Sequence, residues 1–152
     1  METFVMAKGL LIDCDQHVAE WAFRTYNRFP MPVDRALGIV EDGQLVGAAL
    51  FTSYNSMNAE LSYYGKNTVT VGIIRALAKV ALYELRLARC TVIVPKRPSF
   101  LLKKLTKFGF RYEGVQRRHY GPTDSPRHTG CRFVVFREDM LKLAAVRIEK
   151  VA

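Results

Sequence analysis

Residues Asn58 to Pro95 read "NAELSYYGKNTVTVGIIRALAKVALYELRLARCTVIVP". The opening residues alternate. Glu60, Ser62 and Tyr64 fall on one side, Leu61 and Tyr63 on the other, as in a strand. From Gly72 the period changes: Ile73, Leu77, Val80, Ala81 and Leu85 share one helical face, and Arg75, Lys79 and Arg86 share the opposite one. The run "CTVIVP" is apolar and β-branched, the pattern of a strand covered on both faces. Strand, helix and strand in this order predict a parallel crossover.

The flanking segments extend this unit. "TFVMAKGLLI" predicts a first strand with a turn at Gly9. "DQHVAEWAFRTYNRF" places Val18, Trp21, Ala22 and Phe29 at helical spacing, with Asp15 as N-cap and Pro30 and Pro32 as stops. "RALGIVEDGQLVGAALFTSY" predicts a hairpin turning at Asp42-Gly43. Downstream, Ser99 is placed to cap "FLLKKLTKF", and Gly109 sits where a helix C′ glycine belongs. "FRYEGVQ" and "CRFVVFRE" read as strands around a loop that holds Gly121, Pro122, Asp124, Pro126 and Gly130. "DMLKLAAVRIEKV" reads as a closing helix.

The order is β-α-β-β-β-α-β-α-β-β, then a helix. A hairpin before a crossover requires a mixed sheet. The expected fold class is α/β (α+β), with six to seven strands flanked by helices in one domain over residues 1–152.

The formal net charge of +9 predicts an anionic partner: nucleic acid, a phosphorylated cofactor, an acidic protein or an anionic surface. Three cysteines without a C-x-x-C support neither a disulfide framework nor a zinc site. Cys90 and Cys131 in apolar runs suggest reduced thiols in the cytoplasm. His17, His119 and His128 lack metal-ligand spacing, so no metal is assigned. No apolar run reaches the ~18 residues of a membrane span, and the start lacks the pattern of a signal peptide.

With "ALAKVALYELRLARCTVIV" and "LLKKLTKFGFRYEGVQRR", this order resembles the GCN5-related N-acetyltransferase (GNAT) superfamily. Its ribosomal-protein N-acetyltransferases and the acetyltransferase-like proteins of phages and prophages are the most similar. The residues that carry the likeness are Phe108-Gly109-Phe110, Glu113-Gly114 and Arg117, with "NAELSYY" as the central strand and "LVGAALF" before it. The likeness spans roughly Ala36 to Phe136.

The resemblance implies an N-acyltransferase that uses acetyl-CoA, as a monomer or a homodimer pairing through its last strands. Its acceptor would be an amine, on a protein or on a small and possibly anionic molecule. The donor's pyrophosphate would lie on free N–H groups between the central strand and the long helix. Here those positions are Lys66, Asn67, Thr68, Val69, Thr70, Val71 and Gly72. This segment departs from the family's glycine motif. Started at Asn67, the motif falls on Asn67, Thr70 and Gly72, of which only Gly72 agrees. Aligned on the helix, its Gly-x-Gly falls on Lys66-Asn67-Thr68. The family's Asn and general-acid Tyr are replaced by Pro98 and Leu105.

Glu60 is the candidate base, acting directly or through water. Tyr64 flanks the implied thioester channel, and its backbone N–H is placed for the oxyanion. Tyr112 and Tyr120 are candidate acids or acceptor-site walls. Lys103, Lys104 and Lys107 form a basic helix face, solvated by default, that could instead attract phosphate or an acidic acceptor. Two readings stand side by side. One is an acetyltransferase. The other is a GNAT-fold module without catalysis, phage-encoded, that binds a host or virion protein or nucleic acid.

Overall fold

The computed structural model describes residues 8–66 and 69–145. Seven strands and four α-helices follow the predicted order: β1 (Lys8–Leu11), α1 (Asp15–Thr25), β2 (Arg35–Glu41), β3 (Gln44–Thr52), β4 (Asn58–Gly65), α2 (Val71–Lys79), β5 (Arg89–Pro95), α3 (Phe100–Lys107), β6 (Arg111–Gln116), β7 (Gly130–Phe136) and α4 (Arg137–Ala145). They form one mixed sheet in the order β1-β2-β3-β4-β5-β7-β6. Only β4 and β5 are parallel neighbours; every other pair is antiparallel.

The β2–β3 hairpin turns on Asp42 and Gly43, both at positive φ (51° and 80°), as a two-residue turn requires. Gly109 (φ 85°) ends α3. Its N–H donates to the Thr106 carbonyl at 3.1 Å, and the Phe110 N–H donates to the Leu105 carbonyl at 3.0 Å. This crossed pair is the Schellman arrangement.

Several local expectations are corrected. Gly9 lies within β1, paired with Val40, and is not a turn. Cys14 takes the N-cap position of α1 and Asp15 is the first helical residue, engaged by Arg35 at 2.9 Å. Ser99 stands at the N-cap of α3 without a side-chain cap. The helix from Val71 does not stay regular. It widens into π-helical turns over Val80–Glu84, with the Leu85 N–H donating to the Val80 carbonyl at 3.0 Å. A regular helix would point Leu82 away from Ile73; the widening turns it inward, and both are buried. The expected extension of the last helix past Ala145, like the start of the first strand, lies outside the described residues.

Two apolar layers hold the sheet. On one face Ala59, Leu61 and Tyr63 of β4 join Cys90, Val92 and Val94 of β5 beneath α2, α3 and α4. On the other, α1 sets Val18, Ala22 and Phe23 on Ala36, Ala48, Leu50 and Tyr64. α1 packs mainly on β2 and β3, and the β6–β7 loop reaches β5 through Tyr120. Cys14, Cys90 and Cys131 are free thiols. No helix among the described residues is long and apolar enough to cross a membrane.

Candidate active site

The central feature is a fork. β4 and β5 pair at only four positions, from Asn58 with Arg89 to Leu61 with Val92. β4 continues to Gly65 and β5 to Pro95 without pairing each other, while each keeps its outer neighbour. Beyond Leu61 the inner edge of β4 therefore offers backbone groups that no strand takes up, and such groups seek a ligand.

The start of the loop after β4 is fixed by two glycines. Gly47 and Gly65 are register partners. Tyr63, two residues before Gly65 and on the same face, lays its ring over both and donates its hydroxyl to the Lys66 carbonyl at 3.1 Å. A Cβ on Gly65 would stand 2.6 Å from that hydroxyl and 2.8 Å from the Val46 carbonyl oxygen and from the Gly47 Cα. The glycines make the room.

Thr70 caps α2, accepting the Ile73 N–H on its hydroxyl at 3.3 Å. Val69 turns into the core and is buried. Its carbonyl accepts from the Lys104 ammonium of α3. Lys104 is thus not part of a purely solvated face: it is half-buried and brings a positive charge to the start of α2. An anion there would meet the helix dipole and this ammonium together. Lys66, Val69, Thr70, Val71 and Gly72 lie along this approach, whereas Asn67 and Thr68 are outside the described residues. Behind the fork lies an apolar cavity of about 70 Å³, walled by Leu61, Tyr63, Val92, Leu101 and Lys104 among others. It is an apolar recess between the sheet and α2–α3.

The opposite side of the fork is polar. Glu60, Ser62 and Tyr64 are register partners of Thr52, Leu50 and Ala48, and so face the α1 side. Glu60 is half-buried and has no hydrogen-bond or ion-pair partner among the described residues. Tyr64 packs against Phe23 and Tyr26, with ring centroids 6.5 and 5.8 Å away. Burial raises its phenol pKa, opposed by Arg28.

Tyr120 comes from the β6–β7 loop and donates its hydroxyl to the Ile93 carbonyl at 3.0 Å, one residue past the last β4–β5 pair. Burial raises its pKa well above the ordinary phenol range. His119 stacks edge-on against the Tyr120 ring at 4.5 Å. Arg28 lies over the Tyr120 ring, 5.7 Å from its centroid. Burial lowers the His119 pKa, Arg28 and Arg132 lower it further, and Glu60 opposes them. Arg28, Glu60, Tyr64, His119, Tyr120 and Arg132 thus share one neighbourhood at the mouth of the fork.

Tyr112 is not part of it. It pairs in register with Phe133, stacks on that ring at 5.5 Å and is exposed on the far face, at the outer strand. The cause is a β-bulge. Glu113 and Gly114 (φ 137°) together oppose Arg132, so the strand alternation shifts there. The bulge brings Glu113 within 2.9 Å of Arg89 and 3.7 Å of Arg132. The Glu-Gly pair that marks the sequence thus has a structural task. His17 is exposed on α1. No cluster among the described residues could hold a metal ion.

The loop carrying His119 and Tyr120 is clamped by two arginines. Arg117 and Arg118 reach Asp124 at 2.8 and 2.9 Å. Hydrogen bonds from Arg118 and Arg117 hold the Asp124 pKa down to about 2. Sequence reading singled out Tyr120 but gave His119 no role, and only the strand order β5-β7-β6 brings their loop over β5. Arg28 was missed; its signal was its place at the end of α1, three residues after Thr25.

No family model and no curated protein matches the chain in sequence. Solved structures do match. The ribosomal-protein-S5-alanine acetyltransferase from Vibrio fischeri superposes with a TM-score of 0.64 at 9% identity, over 91% of this chain and 97% of that one. Mutant forms of the spermidine/spermine N-acetyltransferase SpeG from Vibrio cholerae give 0.59 at 13% identity, over 79% and 73%. A GCN5-related N-acetyltransferase from Brucella melitensis gives 0.55 at 16%, over 72% and 54%. The chain spans 63% and 62% of the length of two further acetyltransferases that it matches. The fold is that of the GCN5-related N-acetyltransferases.

Proposed function

We propose that the protein transfers an acyl group, acetyl in the first instance, from acyl-CoA to a primary amine. The observation that carries this reading is the β4–β5 fork, with an unpaired Glu60 on one side and an apolar recess on the other. The donor supplies an activated thioester carbonyl when bound. Free N–H groups and the Thr70 cap at the start of α2, with Lys104 beside them, would receive its pyrophosphate.

The amine approaches from the Glu60 side. Glu60, directly or through water, takes the proton lost as the C–N bond forms. A backbone N–H on the unpaired edge of β4, that of Tyr64 by our sequence reading, stabilises the oxyanion. The C–S bond then breaks, and the proton held by Glu60 returns through water to the thiolate. The test is release of free CoA thiol from acetyl-CoA with a panel of amines. Amine-dependent release that is lost in Glu60→Gln supports the reading. Its absence with every amine, from a folded protein, overturns it.

A second reading has its own support. Val69 is buried in the core and its carbonyl is taken by Lys104, in the segment where the family's glycines are replaced. That arrangement favours a GNAT-fold binding module without catalysis, its basic surface meeting a protein or nucleic acid. Steep salt dependence of affinity for DNA or RNA, without donor binding, would favour it.

A further inference from the structure

We propose that the acceptor amine carries an anionic group, a carboxylate or a phosphate, close to its nitrogen, with Arg28 receiving the anion and Glu60 facing the amine. The proposal rests on the acyl-transfer reading above and adds the substrate class. It starts from the pairing of charges. Arg35, Arg89, Arg111, Arg117, Arg118 and Arg132 each have a carboxylate within reach. Arg28 has neither an acidic partner nor a side-chain hydrogen bond among the described residues.

In a chain with 23 basic and 14 acidic residues, an unpaired arginine is unremarkable on the open surface. Arg28 is exposed as well, yet its place is fixed. Asn27 (φ 54°) turns the chain after α1, the Arg28 N–H is fixed to the Phe23 carbonyl at 2.8 Å, and the guanidinium lies over Tyr120. Tyr120 in turn is anchored to the mouth of the fork. Arg28 also lines a groove of about 700 Å³ between α1 and the following loop. A soluble acceptor therefore has a route to it. The carboxylates of that groove are engaged already, Asp15 by Arg35 and Glu20 by Gln16.

The neighbours agree in sign. His119 bonds Gln116 through Nδ1 at 2.8 Å. With the Gln116 amide donating, the neutral ring holds its proton on Nε2, as a donor and not as a base. Arg132, only partly neutralised by Glu113 at 3.7 Å, adds positive charge. Glu60 opposes these groups from β4. An acceptor with one ammonium and one anion matches this arrangement. A polyamine would set its second ammonium against Arg28.

The experiment compares kcat/KM with acetyl-CoA for four amines at one ionic strength: β-alanine, O-phosphoethanolamine, ethanolamine and spermidine. At least one anionic amine should exceed ethanolamine by about tenfold or more, with spermidine lowest. β-Alanine against O-phosphoethanolamine distinguishes carboxylate from phosphate. Arg28→Gln should reduce the anionic-to-neutral ratio by about tenfold, and Arg28→Lys should restore part of it. Preference for spermidine, an unchanged ratio in Arg28→Gln, or donor binding with turnover of none of the four overturns the proposal. Failure to bind acetyl-CoA at all overturns the acyl-transfer reading itself, and this proposal with it.

Discussion

The Tyr120 hydroxyl donates to the Ile93 carbonyl at 3.0 Å, at the first residue of β5 past its pairing with β4. A loop from the far side of the sheet therefore holds one prong of the fork. Tyr120→Phe removes this bond and nothing else of the ring. A stability loss of about 1 kcal/mol is expected, read from the denaturant midpoint. Acyl transfer should fall as the β5 prong loses its anchor. A variant as stable and as active as the parent would show that the bond has no part in shaping the site.

Glu60→Gln keeps the shape of the side chain and removes its basicity. The expected result is a drop in kcat of roughly 10²–10⁴-fold, the usual contribution of a positioned base. Amine-dependent release of CoA thiol measures it, and an unchanged kcat would assign the proton to another group.

Gly65→Ala tests the glycine pair over which Tyr63 lies. The added Cβ would meet two backbone atoms of β3 at 2.8 Å, which no rotamer change relieves. The expected cost is about 1–3 kcal/mol, as for other overpacked sites. Thr70→Ala should cost about 1 kcal/mol through loss of the α2 cap. Chemical denaturation measures both.

His119 gives a pH signature. Burial, then Arg28, set its folded pKa below the ordinary 6.5. Between the two values the unfolded chain binds more protons than the folded one, so stability rises with pH there. The His119 contribution is fully present above pH 6.5 and is lost as the pH falls toward the lowered value. Melting curves at pH 7.5 and 5.5 should differ less in His119→Gln than in the parent. An equal difference in both would remove His119 from the pH response.

Asp139 closes the sheet against α4. Its carboxylate accepts the Phe136 N–H at 2.9 Å, as a capping side chain does, and takes both donors of Arg111 at 2.9 Å. Asp139→Asn should lower stability by about 1 kcal/mol, with the remainder screened by solvent at the exposed Arg111. Thermal melts at low and high salt separate the cap from the ion pair.

The fold was legible where the chain carries its own punctuation. Asp42-Gly43 gave the hairpin, Gly109 the end of α3, and the change of period at Gly72 the crossover. Side chains on β4 could be assigned to faces because strict alternation runs from Asn58 to Gly65. Such counting does not carry over to β6. The extra residue at Glu113 shifts the alternation there, and pairing with Phe133 sets Tyr112 on the face away from Glu60. The Arg28–His119–Tyr120 group was legible only in parts. It joins residues about ninety positions apart, through a strand order that local pattern does not encode. Lys104 belongs here too: helical spacing put it on a basic face, and only packing of α3 against the loop turned it to Val69.

Calorimetric titration of the full chain with acetyl-CoA tests the central claim most directly. The account predicts a micromolar Kd, weakened about tenfold or more in Lys104→Gln through loss of the cation beside the α2 start. No heat of binding at millimolar acetyl-CoA, from a protein that still unfolds cooperatively, would contradict it.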